Sequence, residues 1–375
     1  MFTRFDDLQM SMFSRLLDWY DENRRVLPWR EDPSPYHVWL SEIMLQQTRV
    51  EAVRAYYTRF LERLPDIASL ASADEDTYLK LWEGLGYYSR VRNLHKAAVQ
   101  IMDDYGGEMP RTSAELQKLA GIGPYTAAAI ASIAFGERIP AVDGNLLRVF
   151  SRLTCYGEDI KAPAAKKAAE AFYLEHFPPA AAGRSGDCNQ ALMDLGAVIC
   201  VPNGSPLCGQ CPWADYCEAH RLGVETEYPY TAPKKARKIE KKTVFLIYYD
   251  RRLVLGRRPA RGLLAGLYEF PNAPGNLSRT EALEHLESLG FSAVRITELP
   301  AAKHIFTHRE WHMTGYEVLA DEWKEFPTGP AQQAQPRIAA PSAGGRLFLA
   351  TREEMATKYS IPSAFETYRK EVRFG

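Results

Sequence analysis

The sequence predicts a multidomain protein, with an all-α region over residues 1–225, a basic linker over 226–242 and an α+β region over 243–375. Three observations carry this reading. The chain has 375 residues, too many for one ordinary domain of about 100–200. Apolar residues recur at helical spacing through the first part, with Pro and Gly at the breaks. Near residue 226 the character changes, and from Thr243 the pattern turns to the alternation of strands.

Helices are predicted in order over Phe13–Tyr20, Val38–Val50, Ala52–Leu61, Asp74–Glu83, Val91–Tyr105 and Ala114–Leu119. Tyr125–Ala134, Asn145–Leu153, Ala164–Phe177 and Cys188–Ile199 follow. Two prolines and a run of lysines between Tyr228 and Lys242 read as a linker. Val244–Tyr249 and Leu253–Gly256 flank Asp250-Arg251-Arg252 as a hairpin. Thr280–Leu289 reads as a helix stopped by Gly290, and Ala301–Phe306 and His312–Leu319 as strands. Pro327–Gly345 reads as a loop, before closing helices over Thr351–Tyr359 and Ala364–Val372.

Composition is ordinary, with 46% apolar and 25% charged residues, which excludes a wholly disordered or collagen-like chain. No apolar run approaches the roughly 18 residues of a membrane span. Residues 1–10 lack the basic-then-apolar pattern of a signal peptide, so a cytoplasmic protein is expected. Six cysteines then argue against a disulfide framework. The net charge of −1 at first disfavours a basic nucleic-acid binder. Between Lys234 and Arg258, however, ten basic residues face two acids, a local +8 that leaves −9 elsewhere. The average conceals a basic connector.

Four segments carry chemistry. In Val38–Thr48, apolar residues cover nearly every side of the predicted helix, so Glu42 falls where a carboxylate is costly unless neutral or paired. Burial raises its pKa, as a general acid requires. The plainer alternative puts Glu42 on a narrow solvated stripe with Ser41, whereas Gln46-Gln47-Thr48 points to a polar cavity. Leu119–Ala127 holds Gly121-Ile122-Gly123-Pro124 between two helices, a helix-hairpin-helix form whose backbone N–H groups suit a phosphate. Asp143 precedes a helix and reads either as an N-cap or as a second acid beside Glu42. Cys200, Cys208, Cys211 and Cys217 have the spacing C-x7-C-x2-C-x5-C, which leaves zinc and a [4Fe–4S] cluster both open. Cys155 and Cys188 read as core residues.

Leu27-Pro28-Trp29-Arg30, Ser41–Thr48, Gly84-Leu85-Gly86-Tyr87-Tyr88, the hairpin, Val142-Asp143-Gly144-Asn145 and the four cysteines occur in this order. Together they resemble the MutY family of adenine DNA glycosylases in the helix-hairpin-helix superfamily, over nearly the whole chain. The resemblance implies a helix-hairpin-helix glycosylase domain with an iron–sulfur cluster loop, followed by a Nudix-like lesion-recognition domain. It implies a [4Fe–4S] cluster on Cys200, Cys208, Cys211 and Cys217. It also implies removal of adenine opposite 8-oxoguanine or guanine, after the base is flipped from the duplex. Glu42 matches the acid that protonates adenine N7. Asp143 matches the carboxylate that stabilises the oxocarbenium-like sugar, with Tyr125 and Asn145 in support. Arg30 and Gln190 match adenine-pocket positions. Gln47, Thr48, Tyr87, Tyr88, Gly121 and Gly123 match DNA-binding positions, with Gln47 and one of the two tyrosines as wedges.

Bifunctional relatives such as endonuclease III carry a lysine where Tyr125 stands, and that lysine forms a Schiff base. A monofunctional glycosylase that leaves an abasic site is therefore expected. In the second domain, Gly262–Pro271 matches the entry motif, with Tyr268 in place of tryptophan. Glu281, Glu284 and Glu287 lack the R-E-x-x-E-E string of a working Nudix hydrolase. Phe306-Thr307-His308 matches the 8-oxoguanine reader, with Thr307 in place of serine. Seven residues rather than the family's six separate Cys200 from Cys208, and Pro202–Pro206 offers a turn to absorb the extra one. The expected partner is double-stranded DNA with an A:8-oxoguanine or A:G mispair, bound by a monomer at the bacterial nucleoid, with no membrane. Competing readings are a thymine or oxidised-pyrimidine glycosylase, a nucleotide pyrophosphatase with a helical appendage, and a catalytically dead DNA-binding protein.

Overall fold

The computed structural model describes residues 3–233, 236–324 and 347–374. The predicted loop Pro327–Gly345 lies outside them. Helices come first: α1 (Thr3–Asn23), α2 (Pro28–Glu31), α3 (Pro35–Leu45), α4 (Val50–Arg63), α5 (Ile67–Ser72), α6 (Glu75–Leu81) and α7 (Ser89–Tyr105). They continue as α8 (Ser113–Leu116), α9 (Pro124–Phe135), α10 (Gly144–Thr154), α11 (Pro163–His176), α12 (Ser185–Asp194) and α13 (Glu218–Leu222). The short α2, α5 and α13 lie outside the predicted helices because none is long enough to show a period. Residues predicted as one helix over Cys188–Ile199 divide into α12 and a π-helical turn over Leu195–Ile199. Single π turns of this kind tend to mark functional sites.

Two compact units result, residues 1–73 with 89–233, and residues 74–88 with 234–375. The first is held by a core that includes Phe13, Leu16, Leu146, Phe150, Tyr173, Leu192 and Trp213. Burying such side chains stabilises by about 1.5–3 kcal/mol each. Among the described residues, no helix is long and apolar enough to cross a membrane.

The second unit is built on a mixed sheet. Its strands are β1 (Lys238–Tyr249), β2 (Arg252–Arg257), β3 (Tyr268–Glu269), β4 (Asn272–Pro274), β5 (Phe291–Ile305), β6 (Arg309–Trp323) and β7 (Leu347–Ala350). Helices α14 (Arg279–Ser288), α15 (Arg352–Thr357) and α16 (Glu366–Glu371) accompany them. The order is β3-β2-β1-β6-β5, with β4 on β1 and β7 on β2. β1 and β6 run parallel, from Lys238 opposite Arg309 to Tyr248 opposite Leu319. β1 begins inside the stretch read as linker, because Lys238–Lys242 pair with the start of β6. The alternation of β1 puts Val244 and Leu246 against Phe365 and Tyr368 on one face, and Phe245 and Ile247 against Ala282 and Leu286 of α14 on the other. Asp250 and Arg251 turn the hairpin at φ 48° and 56°, the positive pair that a type I′ turn needs.

Residues 74–88 are pinned within this unit by polar contacts. Arg257 pairs with Glu75 at 2.8 Å, and the Tyr268 hydroxyl donates to Asp76 at 3.1 Å. Lys80 donates to the carbonyls of Met355 and Tyr359, and Glu83 accepts from the Ile361 amide at 2.8 Å.

Candidate active site

Helix α3 starts on a Ser34 N-cap with Pro35 in its first turn, and buries every residue from Tyr36 to Met44 except His37. Arg90 closes its far end by donating to the carbonyls of Ile43, Met44 and Gln46. Glu42 is 6% exposed and Ser41 1%, so no solvated stripe exists. The Tyr125 hydroxyl, from the first turn of α9, donates to Glu42 Oε2 at 2.5 Å. Burial pushes Glu42 up to about 7, against the pull of the Tyr125 hydroxyl, with Asp143 raising it further and Arg30 lowering it.

Asp143 is both the N-cap and the candidate second acid. Its Oδ1 accepts from the Asn145 and Leu146 amides at 2.8 Å, and its Oδ2 from Asn145 Nδ2 at 2.8 Å. Burial raises its pKa, opposed by these donors and by the Arg148 charge. Three donors hold the ionised form of Asp143, whereas one hydroxyl reaches Glu42. The proton of the pair therefore rests on Glu42.

The cavity beside Glu42 is lined by Arg30, Gln190, Trp29, Leu45 and Met193. Gln46, Gln47 and Thr48, expected to make it polar, do not line it. Gln47 is instead an exposed turn residue at φ 57°, and Thr48 is half-buried against Arg90. The polarity comes from Arg25, Ser41, Gln190 and Arg30, the last held by the buried Asp194 at 2.7 and 3.0 Å. Asp194 and Arg25 were not singled out in the sequence. The signal was present, since Asp194 interrupts the apolar run Leu192–Ile199 as Glu42 interrupts Val38–Leu45.

The hairpin takes the expected form. Gly121 sits at φ 74°, where a Cβ would lie 2.5 Å from Asn93 Cβ. Gly123 caps α9 and Pro124 opens it, leaving the first-turn amides pointing out of the helix end. Of the paired tyrosines, Tyr87 is exposed and Tyr88 buried. The Tyr87 hydroxyl lies 3.0 Å from Thr307 Oγ1. Thr307 and His308 are exposed, while the Phe306 ring is wedged edge-on between His304 and Trp311 at 4.6 and 4.8 Å. On α14, Glu281 is engaged in the capping box with Ser278.

Helix α10 carries Asp143 at one end and reaches the cysteine loop with two arginines one turn apart. Arg148 donates to Asn145 Oδ1 at 2.8 Å, the Gly196 carbonyl at 2.7 Å and the Cys200 carbonyl at 2.7 Å. Arg152 donates to Cys200 Sγ at 3.1 Å. Gly196 is required here, since a Cβ would lie 2.6 Å from Asn145 Cβ. Residues 202–205 form an exposed bulge with Gly204 at φ 76°, closed below by the Leu207 amide on the Ile199 carbonyl at 2.9 Å.

All six cysteines are unpaired. Cys188 is core, but Cys155 is half-buried at the left-handed end of α10, contrary to the core reading. Cys211 feels the charges of Cys200, Cys217 and Cys208, so the four thiols converge. A zinc ion with Zn–S bonds of about 2.3 Å would draw them within about 4 Å of one another. Among the described residues, the one group of three or more metal-ligating atoms closer than 4.8 Å is Cys208, His220 and Glu225, which holds a single cysteine of the four. The all-thiol donor set fits a [4Fe–4S] cluster. Burial pushes Cys208 up to about 11 and Cys211 to about 12, so cluster loading must expel their protons.

Residues 40–174 match the HhH-GPD superfamily of base excision DNA repair proteins, 204–217 the iron–sulfur binding domain of endonuclease III, and 243–371 the NUDIX domain. The adenine DNA glycosylase of Mus musculus is 34% identical over 384 residues, covering 86% of this chain and 72% of that one. This chain belongs to the adenine DNA glycosylase family. A second member, from Buchnera aphidicola subsp. Schizaphis graminum, is 36% identical over 319 residues and covers 84% and 90% of the two chains. The structure of a thermostable thymine-DNA glycosylase is 28% identical with a TM-score of 0.52, and 99% of it is covered by 59% of this chain. Family membership makes the chain a DNA glycosylase that hydrolyses N-glycosyl bonds and carries an iron–sulfur cluster. The NUDIX match covers most of the second unit.

Proposed function

We propose that the protein excises adenine mispaired with 8-oxoguanine or guanine by hydrolysis alone, leaving an abasic site. The observation that carries this is the hydrogen bond from Tyr125 to Glu42. A hydroxyl occupies the point from which a lysine would attack the sugar, and it points at a carboxyl group that holds its proton near neutral pH.

Glu42 delivers that proton to adenine N7, turning the base into a neutral leaving group. Positive charge then builds on the sugar, and Asp143 faces it as the ionised partner. Tyr125 and Asn145 orient the two carboxyls, and Arg30 and Gln190 border the base. Gln47, Thr48 and Tyr87 meet the duplex, and the amides near Gly121 and Gly123 take a backbone phosphate. Phe306 anchors the loop that presents Thr307 and His308 to the base opposite. Cys200, Cys208, Cys211 and Cys217 hold the cluster, which when bound cross-links the loop that Arg148 and Arg152 tie to α10. Residues 1–225 act as the catalytic region and 243–375 as the lesion reader, and the protein works as a monomer on nucleoid DNA.

The deciding experiment offers duplexes with A opposite 8-oxoguanine, G, C and T, and scores alkali-labile sites. Cleavage is expected at the first two. A protein inert on A opposite 8-oxoguanine, or one that removes thymine instead, would overturn the reading.

A further inference from the structure

We propose that Asp194 is a positioning residue for excision: by clamping Arg30 it keeps that guanidinium from pairing with Glu42, and so leaves the acid its proton. This rests on the reading of Glu42 as the general acid.

Asp194 ends α12 with no exposed surface. It accepts from Arg30 Nη1 and Nη2 at 2.7 and 3.0 Å, and from Arg25 Nε at 2.7 Å and the Arg25 amide at 3.3 Å. The Arg30 fork thus grips one carboxylate, in the bidentate geometry that is strongest for this pair, and its Nη1 also donates to the Arg25 carbonyl at 3.2 Å. The guanidinium is 12% exposed and rests 5.6 Å from the Tyr20 ring. Glu42 shares its cavity, and the two side chains feel each other's charge.

The groups that face Glu42 are few. Tyr125 of α9 donates to it, Asp143 ahead of α10 repels its ionised form, and Arg30 of α2 attracts it. From α12 come the neutral Gln190 and Met193, while Arg25 completes the wall from the segment before α2. Of the two cations in this wall, both held by Asp194, Arg30 is the one whose charge reaches Glu42. A buried guanidinium without a partner is costly and seeks a carboxylate. Deprived of Asp194, it finds Glu42 in the same cavity. The resulting ion pair holds Glu42 ionised, and an ionised carboxylate cannot protonate adenine.

The test is single-turnover excision by Asp194→Asn across pH. The basic limb of the profile should move to lower pH by a unit or more, giving about a tenfold loss near neutrality that is regained in acid. Adding Arg30→Gln removes the released cation. Because Arg30 also lowers Glu42 in the wild type, the basic limb of that double variant should then return to the wild-type position or to higher pH, whatever the height of the profile. A loss in Asp194→Asn that is equal at every pH makes Asp194 merely structural and overturns the proposal. So does a limb that stays shifted in the double variant. Should Asp194→Asn not fold, Asp194→Ser, which also removes the charge, takes its place, with the same shift of the basic limb expected and an unmoved limb overturning the proposal. Glu42→Gln separates this from the underlying reading. An active Glu42→Gln sinks the general-acid role itself, whereas an inactive one with an unmoved limb in Asp194→Asn sinks only the clamp.

Discussion

The Tyr125 hydroxyl donates to Glu42 Oε2 at 2.5 Å, joining the first turn of α9 to the middle of α3 across 83 positions. It is the contact that favours the ionised form of a carboxyl group which burial otherwise drives neutral. Tyr125→Phe should accordingly raise the Glu42 pKa beyond about 7 and move the basic limb of the rate profile to higher pH. The lost orientation should lower the single-turnover rate by about tenfold. Tyr125→Lys places an amine at the same point, where burial keeps part of it unprotonated. Borohydride should trap this variant on DNA and leave the wild type free. Efficient trapping of the wild type contradicts a purely hydrolytic enzyme.

Keeping Glu42 buried costs stability. Its folded pKa is about 7 against an ordinary 4.5, so the folded state binds the proton more tightly than the unfolded chain. The penalty is absent at low pH, grows as pH rises from 4.5 towards 7, and is full above that, at roughly 3 kcal/mol. Glu42→Gln removes the ionisable group. It should melt higher than the wild type at about pH 8, with the difference shrinking at about pH 5. A difference in melting temperature that does not vary with pH would show that the carboxyl group does not titrate in the folded protein.

Much of this site was legible because its chemistry interrupts a pattern. Glu42 stands out in an apolar helix, and the four cysteines stand out by crowding. The hairpin glycines show a turn that only such residues make without strain. What stayed hidden depends on contacts between distant segments. Arg148 and Asp194 look like ordinary helix residues until the Cys200 loop and the Arg25–Arg30 turn close on them. The cavity wall was assigned to Gln46–Thr48 because they follow Glu42 in sequence. The helix ends at Leu45, however, and the chain then turns at Gln47 away from the cavity. The late start assigned to β1 has a similar cause, since the charges of Lys238–Lys242 hide a strand whose pairing is with β6.

Arg148 links the second acid to the cysteine loop. It holds Asn145 Oδ1, the Gly196 carbonyl and the Cys200 carbonyl at once, and Asn145 in turn holds Asp143. Arg148→Ala leaves these buried acceptors unpaired, at about 1–3 kcal/mol each. Two properties should fail together. Excision should drop by more than about tenfold as Asp143 loses its orientation, and the visible absorbance of the cluster should bleach faster in the presence of a chelator. A variant that loses activity with its cluster as durable as the wild type's would show that the arginine serves the carboxylate alone.

Thr307 is where discrimination between mispairs should be felt. Guanine N7 is a bare acceptor, whereas 8-oxoguanine carries a proton there; a hydroxyl whose own proton is given to Tyr87 can accept from the second and has no proton left for the first. Thr307 is exposed and its Oγ1 is bonded to the Tyr87 hydroxyl, which leaves it a lone pair to offer a lesion. The Phe306 ring, packed between His304 and Trp311, keeps the loop from following the side chain when it is altered. Thr307→Val preserves shape and removes the hydroxyl. The preference for A:8-oxoguanine over A:G should then fall by about tenfold, the worth of one hydrogen bond of about 1–1.5 kcal/mol, while A:G excision stays near the wild-type rate. Thr307→Ser should keep the preference. Equal losses on both mispairs in Thr307→Val would mean that the residue grips DNA without reading the base, and an unchanged preference would move the reader to another residue, with exposed His308 the next to alter.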